Sequence, residues 1–95
     1  MKHLKKENQK TLEGLRTLLN NNNARLIKFE IFHKAFGDVI IEIEYLNNIH
    51  IFSTDRGDIY HNGRGLRNNS YHIAGESDTF RTVVKVIEEV LFTKV

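Results

Sequence analysis

The sequence predicts an α+β fold in which two helices pack on one face of an antiparallel β-meander of three to five strands. Three observations predict it: a helical apolar period in the first and last segments, alternating apolar and polar residues between them, and short turn-forming stretches that separate the alternating runs. Consecutive antiparallel strands joined by short turns need no crossover connection. We therefore expect residues 1–95 to form one domain with two layers.

Two amphipathic helices are predicted, over about residues 3–19 and 78–92. The first should end at the asparagine run 20–23, because asparagine competes with the helical backbone and tolerates a left-handed cap. Ser77 or Asp78 can cap the start of the second helix. The apolar stripes that should face the sheet are Leu4, Leu12, Leu15, Leu18 and Leu19 in the first helix, and Phe80, Val83, Val84, Ile87, Val90 and Leu91 in the second.

The strands are predicted over about residues 25–32, 38–46, 49–53 and 58–61, with a further short edge strand at 70–74. In the first strand, the alternation places Ile27, Phe29 and Ile31 on the core side. In the second, it places Val39, Ile41, Ile43 and Tyr45 there. The remaining side chains of these strands should then point away from the helices.

The turn between the second and third strands decides which side chains of the third strand face the core. A two-residue turn at Asn47-Asn48 would place His50 and Phe52 on the core side, whereas a three-residue loop, Leu46 to Asn48, places Ile49 and Ile51 there. We expect the longer loop. His50 and Phe52 are then predicted to lie on the outer side.

Composition excludes several classes of protein. The chain has no cysteine, so disulfides and thiolate metal sites are excluded. The first ten residues are charged where a signal peptide would be apolar, and no apolar run is long enough to span a bilayer. We expect a cytoplasmic protein without a membrane segment, cofactor or metal.

A sheet face left uncovered by both helices is the first candidate site, because exposed large apolar side chains suit a protein interface. This indicates a non-catalytic protein-binding module, whose partner is another protein or a second copy of the chain in a homodimer. The predicted interface residues are Phe32, Ile40, Glu42, Glu44, His50, Phe52, Tyr60 and Tyr71.

The arginine- and glycine-rich segment 56–67 gives an alternative, a nucleic-acid or phosphate-ligand binder. Glycines let the backbone approach an anion, and arginines bind phosphate with two parallel hydrogen bonds. The segment matches no known phosphate-binding motif. The candidate anion-binding residues are Arg56, Arg64, Arg67 and His61.

A second alternative is a small metal-dependent hydrolase or nuclease that uses His50, His61 and Glu44. No catalytic or metal-binding motif is present, so we expect no catalytic residues. In size and layout alone, the chain resembles toxin-neutralising immunity proteins and phage-encoded inhibitors of host defence. That resemblance implies inhibition of a partner by occlusion, and it assigns no residue a role.

Overall fold

The computed structural model describes residues 5–32, 38–56, 58–66 and 76–93. Helix α1 spans Lys6–Asn21, and five strands follow: β1, Arg25–Phe32; β2, Asp38–Tyr45; β3, Asn48–Asp55; β4, Asp58–His61; and β5, Arg64–Gly65. Helix α2 spans Glu76–Ile87 and continues into a π-helical turn, Glu88–Phe92. The predicted start of the first helix and the predicted strand at 70–74 lie outside the described residues.

The α+β prediction is confirmed: the strands form one antiparallel sheet in the order β1-β2-β3-β4-β5, and both helices contribute to a core on one face of it. Each strand is hydrogen-bonded to the next in sequence, so the sheet is a simple meander. The buried core residues are Leu15, Leu19, Val39, Ile41, Ile43, Phe52, Ile59, Phe80, Val83, Val86 and Ile87. Every described helix is too short or too polar to cross a membrane.

Helix α2 lies across the middle of the sheet, and two aromatic contacts fix its direction. The Phe80 ring, near the start of the helix, packs 4.7 Å from that of Phe29 in β1. In the π-helical turn that follows, the Phe92 ring packs edge to face against the Tyr45 ring of β2, with centroids 4.9 Å apart. Valine is a poor helix former, so this valine-rich helix depends on such packing for its stability.

The β2–β3 turn is one residue shorter than predicted. As a result, the side chains of β3 point to the opposite sides of the sheet from those predicted. Leu46 and Asn47 form a two-residue turn with φ angles of +53° and +65°, and Tyr45 pairs with Asn48. Positive φ at both central residues is the geometry of a type I′ turn, which matches the twist of the flanking strands. His50 therefore lies opposite Ile43 on the helix side of the sheet.

The same register places Phe52 in the core, opposite Ile41 and 0% exposed. The predicted outward orientation of His50 and Phe52 is wrong. Ile49 and Ile51 instead point away from the helices, opposite Glu44 and Glu42.

A β-bulge in β1 corrects a second prediction. Leu26 pairs with Ile43 and Lys28 with Glu42, so Ile27 is an extra residue with no partner in β2. It is 44% exposed and does not belong to the core, whereas Leu26 packs against the core in its place. Phe29 and Ile31 contact the core as predicted.

Candidate functional site

The side of the sheet opposite the helices, here called the outer face, is the candidate site. Because the core lies on the other side, none of the described helices packs on it. Alternation along the strands and the pairing between them place a mixed set of side chains on this face: Arg25, Lys28, Glu30, Phe32, Ile40, Glu42, Glu44, Ile49, Ile51, Ser53 and Tyr60.

Apolar side chains occupy a large part of the outer face. Ile49 is 48% exposed, Ile51 39% and Phe32 37%, while Ile40 and Tyr60 are half-buried. Single exposed apolar residues are common, but several on one flat surface mark an interaction site. These exposed apolar side chains make the outer face a candidate interaction surface.

Tyr60 is held in place by a glycine on the neighbouring strand. Gly65 pairs with Tyr60, and a Cβ atom at Gly65 would lie 3.5 Å from the Tyr60 Cε2 atom. The tyrosine ring therefore lies over the glycine backbone, which leaves room for it. This contact fixes an aromatic side chain, a residue type enriched in interfaces, at one margin of the outer face.

Acidic side chains lie beside the apolar ones on neighbouring strands. Glu42 lies opposite Ile51 and Glu44 opposite Ile49, while Glu30 lies opposite Ile40. The Arg25 guanidinium donates to Glu44 Oε1 at 2.7 Å, in an exposed ion pair that contributes little to stability. The outer face is thus both apolar and acidic, in a chain whose formal net charge is +2.

The structure keeps most of the predicted interface residues together and relocates two. Phe32, Ile40, Glu42, Glu44 and Tyr60 lie on the outer face. His50 and Phe52 lie on the helix side, and Tyr71 falls outside the described residues. Ile49 and Ile51, missed as site residues, take their places because the turn before them is two residues long.

His50 and His61 form a contact pair on the helix side. His50 Nδ1 and His61 Nε2 are 2.9 Å apart, which is hydrogen-bond distance between one ring that donates and one that accepts. The His61 ring also stacks on Phe52, with centroids 4.5 Å apart. Burial lowers the pKa of the His61 imidazole, and the positive charge of a protonated His50 lowers that pKa further.

We expect acid to destabilise the fold through His61. Its pKa in the folded chain is below the ordinary 6.5, so the unfolded chain binds more protons near that pH. The stabilisation is complete above the unfolded pKa and is lost as the pH falls through the folded pKa. Urea denaturation at about pH 7.5 and about pH 5.5 should show a smaller pH effect for His61→Gln than for the parent. An equal pH effect in both proteins would contradict this assignment.

The proposed metal-hydrolase constellation does not come together. Glu44 lies on the outer face beside Arg25, whereas His50 and His61 lie on the helix side, so the sheet separates the carboxylate from the imidazoles. Within the described ranges, no three histidine, aspartate or glutamate side chains are grouped to hold a metal ion.

The arginines of the 56–67 segment are also apart. Arg56 precedes β4, and Arg64 lies opposite His61 at the other end of that strand, roughly 10 Å further along. Arg67 falls outside the described residues. Arg56 and Arg64 therefore do not form a single phosphate cradle.

Asp38, which lies near Glu42 in sequence, has a structural role. Its Oδ1 atom accepts a hydrogen bond from Thr54 Oγ1 at 2.9 Å and another from the Arg56 backbone N–H at 3.2 Å. Arg56 has a φ of +50°, so this carboxylate stabilises a strained turn between β3 and β4.

Comparison of the chain with protein-family models, with curated proteins and with solved structures finds no match.

Proposed function

We propose that the protein is a non-catalytic binding module that blocks a partner protein by covering it with the outer face. The observation that carries this proposal is the presence of exposed apolar side chains, Phe32, Ile49 and Ile51, on the side of the sheet that faces away from the core. Burying such side chains on association releases about 25 cal/mol per Å² of apolar area, before the costs of association.

The charge of the outer face suggests what the partner surface is like. Glu30, Glu42 and Glu44 outnumber the basic residues Lys28 and Arg25 on this face. Complementary potentials speed encounter and select the right partner. We therefore expect a partner surface with an apolar centre and lysine or arginine residues around it. Inhibition by occlusion, as immunity proteins or phage-encoded inhibitors achieve it, fits a surface of exposed apolar and charged side chains.

The substitution Ile51→Glu tests the proposal. A glutamate at this position lies opposite Glu42 and should cost some stability, but the chain should still fold because the side chain is 39% exposed. The substitution should reduce capture of the partner about tenfold or more. Val90→Glu is the matched control, because Val90 is also 39% exposed but lies in the π-helical turn. Each variant is immobilised and exposed to native lysate, and the captured proteins are measured by quantitative mass spectrometry.

The comparison between the two variants decides the outcome. The proposal predicts proteins that the parent and Val90→Glu capture and Ile51→Glu does not. If Ile51→Glu is folded, as its melting curve shows, and captures the same proteins in the same amounts, the outer face is not the binding surface.

A further inference from the structure

Strand β1 is a long edge strand of the sheet that the described residues form. It has eight residues, and among the described strands it pairs with β2 alone. Its other side therefore presents backbone N–H and C=O groups to which another strand can add. The opposite edge, β5, has only two residues and offers a much shorter ladder.

Two exposed apolar side chains lie along this edge, together with a bulge and two charged residues. Ile27 is 44% exposed at the bulge and Phe32 37% exposed at the end of the strand. Natural edge strands are often protected by bulges and charged residues. Here the charged residues between those two apolar side chains are Lys28 and Glu30, which have opposite signs and stand two positions apart.

We propose that β1 pairs antiparallel with β1 of a second copy of this chain, in the register that places Phe29 opposite Phe29 of that copy. Lys28 then lies opposite Glu30 of the second copy, and Glu30 opposite its Lys28. Over these three residues the two phenylalanines face each other and every charge meets its opposite, which is the pairing that stabilises antiparallel strands.

Charge also favours this register over the two registers that are shifted by two residues. Shifting the second strand by two residues in one direction places Lys28 opposite Lys28, and shifting it in the other direction places Glu30 opposite Glu30. Like charges directly opposite each other destabilise a strand pair. The self-complementary Lys28-Phe29-Glu30 sequence is therefore specific for one symmetric arrangement.

This pairing joins two five-stranded sheets into one. A two-fold axis perpendicular to the sheet keeps the helices of both copies on one side, so the two outer faces merge into a larger binding surface. The inference deepens the proposed function; Lys28 and Glu30 also lie on the outer face, but the pairing itself is made by the backbone of the sheet edge, away from Ile51. Ile51→Glu should therefore dimerise like the parent, even though it loses the partner.

Charge reversal tests the register directly. Sedimentation velocity over a concentration series should show a dimer for the parent, and the dissociation constant should rise about tenfold or more in Lys28→Glu and in Glu30→Lys. In a mixture of these two variants, each charge again faces its opposite, so a heterodimer should form. The Lys28→Glu/Glu30→Lys double variant should also recover self-association, and moderate salt should weaken all of these dimers.

The mixing experiment requires that each single variant is folded. Lys28 also lies opposite Glu42 within the chain, so melting curves are recorded for each protein. The proposal is overturned if the parent is monomeric at all concentrations. It is equally overturned if the single variants dimerise as the parent does, or if folded single variants form no heterodimer on mixing.

Discussion

Replacing Phe52 by alanine should lower the free energy of unfolding by about 3–5 kcal/mol, the largest effect expected in this chain. Phe52 is fully buried, lies opposite Ile41 and stacks on His61. Truncation removes the transfer free energy of the ring and leaves a cavity that the neighbouring strands can only partly close. Urea denaturation measures the loss, with Phe52→Leu as a milder variant if the alanine variant does not fold.

The next residue along the strand is the matched control. Ile51 points to the outer face, so Ile51→Ala should change stability by no more than about 1 kcal/mol. The contrast between adjacent positions tests the orientation of β3. A larger loss for Ile51→Ala than for Phe52→Ala would place Phe52 on the outside and contradict the two-residue turn.

Replacing Thr54 by valine should cost about 1–3 kcal/mol, although the two side chains have nearly the same shape. The Thr54 hydroxyl accepts the Val39 N–H at 3.1 Å and donates to Asp38 at 2.9 Å. Valine would leave the Val39 N–H without this partner on a residue that is 0% exposed. It would also weaken the hold of Asp38 on the Arg56 turn.

Thr54→Ser distinguishes the contribution of the hydroxyl to stability from that of the methyl group. Serine retains both hydrogen bonds and loses one methyl group, so its cost should be about 1 kcal/mol or less. Chemical denaturation of the three proteins in one buffer gives the comparison. Equal stability of Thr54→Val and the parent would show that the hydroxyl contributes nothing.

The sequence was sufficient for the fold class because its strongest periodicities agree with one another. The leucine period of α1 and the alternation in β2 each bury one set of side chains, and Leu15, Leu19, Ile41 and Ile43 form part of the core. In β3 the pattern was ambiguous, because Ile49 and Ile51 on one side compete with Phe52 on the other. The turn decides between them, and leucine at positive φ is too uncommon to be expected from sequence.

The sequence predicts the type of candidate site, but not all of the residues that form it. An acidic outer face with apolar residues follows from the alternation of β2, where Ile40, Glu42 and Glu44 share one side. Which residues of β3 join them depends on the turn, and the bulge at Ile27 depends on a register shift that the alternation of β1 does not reveal. Both are local backbone features that change the side a residue faces without changing the element to which it belongs.

Site-specific photo-crosslinking tests the central claim, that the outer face binds a partner, most directly. The chain has no cysteine, so a single cysteine carries a benzophenone at one chosen position. Ile51→Cys places the probe on the outer face and Val90→Cys places it on the π-helical turn, at positions of equal exposure. After irradiation in native lysate, we expect adducts with another protein from Ile51→Cys and none from Val90→Cys. Adducts from Val90→Cys alone would contradict the account.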